Sequence, residues 1–390
     1  MSSSTMAATG HWTGTGALPA PVTWAGQHDG PVVLGTGKVL VAGGADAAAG
    51  ALARAALYDP AAKTWAATGS LGTGRRLHTV TLLGTGKVLV TGGIGGAAAF
   101  PAPGLATAEL YDPATGTWTA TGALHTARWG HSAALVGDKV LVAGGTTTRS
   151  GQSVRALRSA ELYDPATGEW TEVGPMTDAR SGHPAVVLQN GRVLVAGGTA
   201  PLARDLDAAL AFCELFDPAT LAWTPTGDLL VPRGRHRATV LNGGRDVLVT
   251  GGGAPGALGD GMFDPSSLST AELYRQDTGG WSAVADLPGG RCLHRAVAVG
   301  TGKVLVVGGT DDERHDAGYQ SAVLFDTATA AWVPAGGLAV GRWAFAAVPL
   351  SATTVLVGGG VTRSGAAAAD PAHDELTAAA EVFDVTGSTP

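Results

Sequence analysis

A five-residue stretch, Leu-Val-Ala-Gly-Gly or a near copy, occurs seven times in the 390-residue chain. Its first glycine falls at Gly43, Gly92, Gly144, Gly197, Gly251, Gly308 and Gly359, at intervals of 49 to 57 residues. A period of that length kept along a whole chain restricts the fold to repeat architectures, in which each unit buries its apolar face against its neighbour.

The third unit shows the parts clearly. Arg128-Trp129-Gly130-His131 leads into Ser-Ala-Ala-Leu. Lys139–Gly145 follows, then a variable loop, then Ala160-Glu161-Leu162-Tyr163-Asp164-Pro165, a short turn and Trp170. Each part is a short apolar or β-branched run bounded by Gly, Pro or Asp, which reads as a strand. The Val-Leu-Val core suits a strand buried on both faces. The glycine pair suits positive φ, or the close approach of a bulky neighbour, for which the Trp of the last strand is the expected partner. Four strands in each of seven units predict an all-β, seven-bladed β-propeller with four antiparallel strands per blade.

The recurrence of Gly-Gly, Tyr-Asp and Trp at these spacings resembles the kelch repeat, in its stand-alone, bacterial-type form, over almost the whole chain. The resemblance implies one four-stranded blade per repeat. It implies no single activity, because kelch propellers include enzymes, peptide binders and scaffolds. One domain is expected over 1–390. Blade 1 lies at about 24–70, blade 2 at 71–123, blade 3 at 124–175, blade 4 at 176–228, blade 5 at 229–286, blade 6 at 287–337 and blade 7 at 338–390. The last unit ends at Glu381-Val382-Phe383-Asp384 without a following Trp, whereas Trp12 stands alone near the N-terminus. Residues 11–18 are therefore expected to supply the fourth strand of blade 7 and remove the free sheet edges.

Net charge is −7 with 25 Lys and Arg and no basic stripe, so nucleic acid and anionic membrane surfaces are not expected partners. No apolar run is long enough to span a membrane, and the first residues carry neither a basic nor an apolar leader segment. The two cysteines, Cys213 and Cys292, fall in different blades, which fits a reducing, cytoplasmic setting. A monomer is expected.

Candidate chemistry clusters at the start of the innermost strands, where an Arg-x-x-His element recurs. Its arginines are Arg75, Arg128, Arg180, Arg233, Arg291 and Arg342, and its fourth positions are His78, His131, His183, His236, His294 and Phe345. In blade 1, Gly26 and Asp29 stand in these places, with His28 beside Asp29. Rings of guanidinium and imidazole around a channel would make an anion site, or an acid–base site tuned by burial. The competing reading is structural: each Arg pairs with the Glu of its own third strand (Glu109, Glu161, Glu214, Glu272, Glu381). Blade 1 lacks both partners, while blade 6 has Arg291 but Val323.

Departures from the repeat mark a second set: His28, Asp29, Trp129, Cys292, Trp343 and Phe345. They read as a His/Asp pair beside an aromatic wall, or as simple caps of the channel. The third set is acidic: Asp312, His315 and Asp316 in blade 6, His373 in blade 7, and Asp260 and Asp264 in blade 5. Such ligands suit Mn, Fe or Mg, or make a solvated loop. Asp312-x3-Asp316-x3-Gln320 is similar to the Glu-x3-Asp-x3-His iron motif of kelch-type specifier proteins, with different residue types at its first and third positions. No Tyr-His pair of the copper-radical oxidase kind is present among the five tyrosines, and no cofactor is assigned with certainty.

Two functions follow as expectations. The first is a cofactor-light enzyme of isomerase, cyclase or lyase type, taking an anionic or aromatic small molecule at the channel mouth. The resemblance to kelch sugar mutarotases, which need only acid–base groups, points the same way. The second is a non-catalytic module that binds an acidic peptide or protein on the same face.

Overall fold

The computed structural model describes residues 9–26, 30–97, 103–148, 154–203, 206–254, 267–311 and 316–386. These residues form seven four-stranded antiparallel sheets, the blades of a propeller. In blade 3 the strands are Ser132–Val136, Lys139–Ala143, Ala160–Asp164 and Glu169–Val173, from the innermost outward. The other blades repeat this order. Blade 7 takes its outer strand, His11–Thr15, from the N-terminal end of the chain, with Trp12 opposite Phe383 and their rings 5.1 Å apart. The ring is thus closed by one sheet made from both ends of the chain.

The hydrophobic core lies between the blades. Leu40 and Ala42 of blade 1 pack with Val88, Val90 and Tyr111 of blade 2, and comparable clusters occupy the other six interfaces. This arrangement explains the unbroken Val-Leu-Val runs: both faces of every second strand meet a neighbouring blade. At the periphery, the Tyr of one blade reaches the Thr of the preceding blade's outer strand, as in Thr68–Tyr111 and Thr121–Tyr163, each 2.7 Å. The Trp of the outer strand packs on that Tyr at about 5 Å, and Trp118 also donates Nε1–H to the Gly69 carbonyl of the preceding blade.

The neighbour of each glycine pair is not the Trp expected from the sequence. A Cβ on Gly92 would lie 2.6 Å from the Arg128 carbonyl and 2.8 Å from His131 Cε1, while the Gly93 N–H donates to that same carbonyl at 2.8 Å. Both glycines have positive φ (61° and 97°). The pair is the socket into which the next blade's Arg-x-x-His element is pressed, and no side chain fits there.

The loops that carry this element and the loops from second to third strand share one face. Single bridges join them in all seven blades, as Trp129 to Thr146 and Cys292 to Thr310. On that face, two-stranded ribbons rise from blade 3 (Thr146–Thr148 with Val154–Ala156), blade 4 (Thr199–Ala203 with Leu206–Ala209) and blade 7 (Val361–Arg363 with Glu375–Leu376).

Deleting residues 1–18 should uncover the Ala380–Asp384 strand and remove a packed aromatic, at a cost of at least about 3–5 kcal/mol. Aggregation on size-exclusion chromatography and a lowered melting temperature are expected; unchanged melting and solubility would contradict closure by this strand.

Candidate functional site

The repeated arginines are buried fasteners. Arg128 is 0% exposed. Its Nη1 donates to the Gly144 and Ser159 carbonyls at 2.8 and 3.0 Å, and its Nη2 to Ser159 Oγ at 3.1 Å and Glu161 Oε1 at 2.6 Å. Glu161 in turn accepts the His125 and Thr126 amides at 2.8 and 3.3 Å. One ion pair thereby ties the glycine socket, the third strand and the incoming loop of the same blade. The pairing recurs as Arg75–Glu109, Arg180–Glu214, Arg233–Glu272 and Arg342–Glu381, at 2.7, 3.2, 2.6 and 3.0 Å. Burial pushes each guanidinium's pKa down and the adjacent Glu pulls it back up. Arg291, opposite Val323, holds the Gly308 and Ser321 carbonyls and Ser321 Oγ instead, and lies 5.5 Å from the Tyr319 ring centre, a cation–π contact in place of the ion pair.

The five histidines are also fully enclosed, and they join neighbouring blades. His78 Nε2 lies 3.1 Å from the Ala42 carbonyl, His131 Nε2 3.0 Å from Thr79 Oγ1, His183 Nε2 2.9 Å from Ser132 Oγ and His294 Nε2 2.9 Å from Thr250 Oγ1; each partner belongs to the preceding blade. Burial, reinforced by nearby arginine charge, drives their pKa values far down, to about 3 for His78. They are neutral imidazoles at physiological pH. Phe345 fills the same place in blade 7 against Gly308.

Blade 1 requires a correction of register. The Gly360 N–H donates to the Val22 carbonyl at 2.8 Å, as Gly44 does to Arg75, and Thr23 bridges to Ala45 as Arg76 does to Ile94. Val22 and Ala25 therefore occupy the Arg and His places, not Gly26 and Asp29. The extra residues between Ala25 and Gly30 shifted the apparent alignment. Val22 faces no carboxylate, since Ala56 replaces the Glu: charge and counter-charge are missing together. His28 and Asp29 lie outside the described residues.

Trp129 and Trp343, read from the sequence as parts of one aromatic wall or as channel caps, belong to separate buried clusters. Trp129 packs with Ile94, Leu77 and Val154, and Trp343 with Cys292, Leu293, Val361 and Trp24. Of the acidic set, Asp260, Asp264, Asp312 and His315 lie outside the described residues. Asp316 accepts Thr310 Oγ1 at 3.0 Å and the Asp311 amide at 3.2 Å, and His373 Nδ1 lies 2.8 Å from Asp370 Oδ2. Among the described residues, no three His, Cys, Asp or Glu side chains are placed to hold a metal ion. Tyr319 lies where burial and the charges of Asp311 and Asp316 push its hydroxyl up to about 12, with Cys292 also acting on it.

The third residue of the element is left-handed in every blade: Trp24, Leu77, Gly130, Gly182, Arg235, Leu293 and Ala344 have φ of 49–62°. Their backbones form a chain around the mouth. Trp24 N–H donates to Ala344, Ala344 to Leu293, Leu293 to Arg235, Arg235 to Gly182, Gly182 to Gly130 and Gly130 to Leu77, at 2.9–3.4 Å. Among the described residues no such bond joins Leu77 to Trp24. Sequence reading passed over four arginines around this ring: Arg76, Arg235, Arg237 and Arg295. Arg237 and Arg295 follow His236 and His294, where other blades carry Thr79, Ser132, Pro184 and Ala346; that break in the repeat was the available signal.

The sequence profile of a KLHDC2/KLHL20/DRC7 Kelch-repeats domain matches residues 130–360. The chain belongs to the kelch-repeat family. Curated kelch relatives include Kelch-like protein 25 of Xenopus tropicalis, 30% identical over 51% of this chain and 32% of that protein, and Kelch-like protein terF of Aspergillus terreus, 29% identical over 46% and 39%. The chain thus matches only about a third of these relatives' length. Among solved structures, a copper-bound fungal alcohol oxidase of the AA5 family superposes with a TM-score of 0.72 at 19% identity, covering 96% of this chain and 76% of that one. The structure of YjhT gives 0.56 at 18% identity, covering 74% and 91%. These likenesses concern the kelch fold alone. No helix among the described residues is long and apolar enough to cross a membrane, which says nothing of strands.

Replacing Arg128 by Ala strands Glu161 in the interior and should cost about 3–5 kcal/mol in urea unfolding. Arg291→Ala, with no carboxylate to strand, should cost distinctly less. Equal losses would show that the Glu does not depend on its Arg.

The histidines predict acid sensitivity. Folded, they stay unprotonated well below pH 6.5; unfolded, they bind protons near 6.5. Stability is therefore fully present above pH 6.5 and is lost as pH falls toward about 3, by up to about 1.4 kcal/mol per pH unit for each buried imidazole. A urea midpoint unchanged between pH 7 and 5 would contradict burial of neutral histidines.

Proposed function

We propose that the mouth face of this kelch propeller is a recognition site for an anionic small molecule. One observation carries the reading: beyond the arginines that follow the repeat and are held within their blades, four more, Arg76, Arg235, Arg237 and Arg295, gather around the mouth, Arg237 and Arg295 tied by Nε–H to carbonyls of the next blade. Arg235 is exposed and Arg76 partly so. Guanidinium groups match carboxylate and phosphate geometry. The five repeat histidines do not favour acid–base catalysis, because burial takes them away from neutral pH. Isomerase, cyclase or lyase chemistry would fall to other groups.

A second reading, capture of an acidic peptide, draws support from the blade 3 and blade 4 ribbons, which lie against each other beside the mouth and carry exposed Arg155.

The test is a thermal-shift panel of mono-, di- and tricarboxylates and sugar phosphates at fixed ionic strength, followed by calorimetry on Arg76→Glu and Arg235→Glu. A saturable shift that weakens at least tenfold in these variants, with melting nearly unchanged, is expected. No response to the panel, with binding of an oligoglutamate peptide, would favour the second reading; no response to either would overturn both.

A further inference from the structure

Trp24 is used differently from every other tryptophan in the chain. Of the ten, seven lie in the outer strands, each with its ring 5.0–5.1 Å from a Tyr or Phe of the third strand. Trp129 and Trp343 are buried, at 6% and 1% exposure. Trp24 stays partly exposed and pairs with no Tyr or Phe ring among the described residues.

Its backbone is held from three sides. Trp24 takes the third place of its blade's element, on the hydrogen-bonded backbone around the mouth, with φ of 54°. A bulky residue adopts that conformation only where its surroundings enforce it. Here Thr23 exchanges both backbone bonds with Ala45, at 3.1 and 2.7 Å. The Thr23 hydroxyl and the Trp24 N–H both donate to the Ala344 carbonyl, at 3.0 and 3.2 Å. Blades 1 and 7 together fix where the indole leaves the chain, which is the preorganisation a contact surface needs.

The third places also give the mouth two unlike sides. From blade 6 through blade 7 to blade 2 they are Leu293, Ala344, Trp24 and Leu77, whereas blades 3 and 4 carry Gly130 and Gly182. Leu293 and Ala344 belong, with Cys292, Trp343 and Val361, to the buried cluster against which Trp24 packs. The indole is thus backed by apolar contacts from blades 6 and 7 and is still reached by solvent. Blade 4 lies across the seven-membered ring from blade 1, and a Cβ on its Gly182 would have no atom within 4 Å. The rim opposite Trp24 carries no side chain there and leaves space.

We propose that Trp24 is a stacking platform at the channel mouth, against which the ligand lays a planar aromatic ring. An indole pairs with another ring by offset or edge-on contact. The inference rests on the reading of the mouth as an anion-recognition site and narrows it: the ligand is an aromatic ring bearing an anionic group, with the ring on Trp24 and the charge toward the cations of the mouth.

The test uses the full chain labelled with 5-fluorotryptophan, the Trp24 resonance being identified by its loss in Trp24→Phe. Benzoate, cyclohexanecarboxylate, acetate and benzyl alcohol are titrated at constant ionic strength. Benzoate should move the Trp24 resonance saturably and bind about tenfold more tightly than acetate. Cyclohexanecarboxylate, whose ring is not planar, should bind more weakly than benzoate. In calorimetry, Trp24→Gly, which suits the positive φ, should weaken benzoate about tenfold and leave acetate unchanged, while Trp24→Phe, which keeps a ring, should stay within about threefold of wild type. The labelled wild-type protein gives its answer whether or not either variant folds. A Trp24 resonance that stays still while benzoate binds overturns the platform, and so does equal binding of benzoate and cyclohexanecarboxylate. If benzoate and acetate bind alike and Trp24→Gly alters neither, the anion site stands and the platform fails. If benzyl alcohol moves the Trp24 resonance as strongly as benzoate and acetate does not bind, the platform stands and the anion reading fails. Binding of none of the four overturns both.

Discussion

The structure depends on one joint, made seven times: the glycine pair of one blade receiving the backbone and fourth side chain of the next blade's Arg-x-x-His element. A propeller blade has no core of its own, because its two faces bury only against neighbours. The joint sets how closely those faces meet. At Gly92 and Gly93 the incoming carbonyl of Arg128 both fills the space of a side chain and accepts an amide hydrogen bond. Steric necessity and hydrogen bonding thus act on the same atom.

The charged groups near the channel divide by this joint. The arginine that delivers the carbonyl is held by a buried glutamate, a costly arrangement that is stable only because each carboxylate also takes loop amides and each guanidinium takes carbonyls. Where the glutamate is absent, as in blade 6, Tyr319 and Ser321 share its role. Where the arginine is absent, as in blade 1, apolar Val22 and Ala56 replace the pair without leaving a buried charge. The histidines complete the joint as neutral wedges between blades. Residues that look catalytic by type are thus used for assembly.

Strain is concentrated at the same point. Five of the seven left-handed residues around the mouth carry side chains, including Trp24 and Leu77, each at a cost of about 1–2 kcal/mol over glycine. The backbone chain they form around the mouth offsets part of that cost and fixes the rim on which the off-repeat arginines sit.

The sequence by itself determined the repeat, the number of blades, the four strands of each, and ring closure through Trp12, because period and strand alternation are local properties of the chain. It also offered Arg–Glu pairing as one of two readings, since blade 1, with Gly26 and Ala56 read in these places, lacks charge and counter-charge together. The register of blade 1 was beyond it: three or four extra residues before Gly30 are indistinguishable in one dimension from a substituted motif. Only the tertiary structure decided that the glycine pair meets the next blade's carbonyl and imidazole instead of a Trp, that Trp129 and Trp343 lie in separate clusters, and that Arg237 and Arg295 share the channel. Each of these is a relation between blades, and the distance between residues in different blades is set by how the ring closes and not by anything written within one repeat.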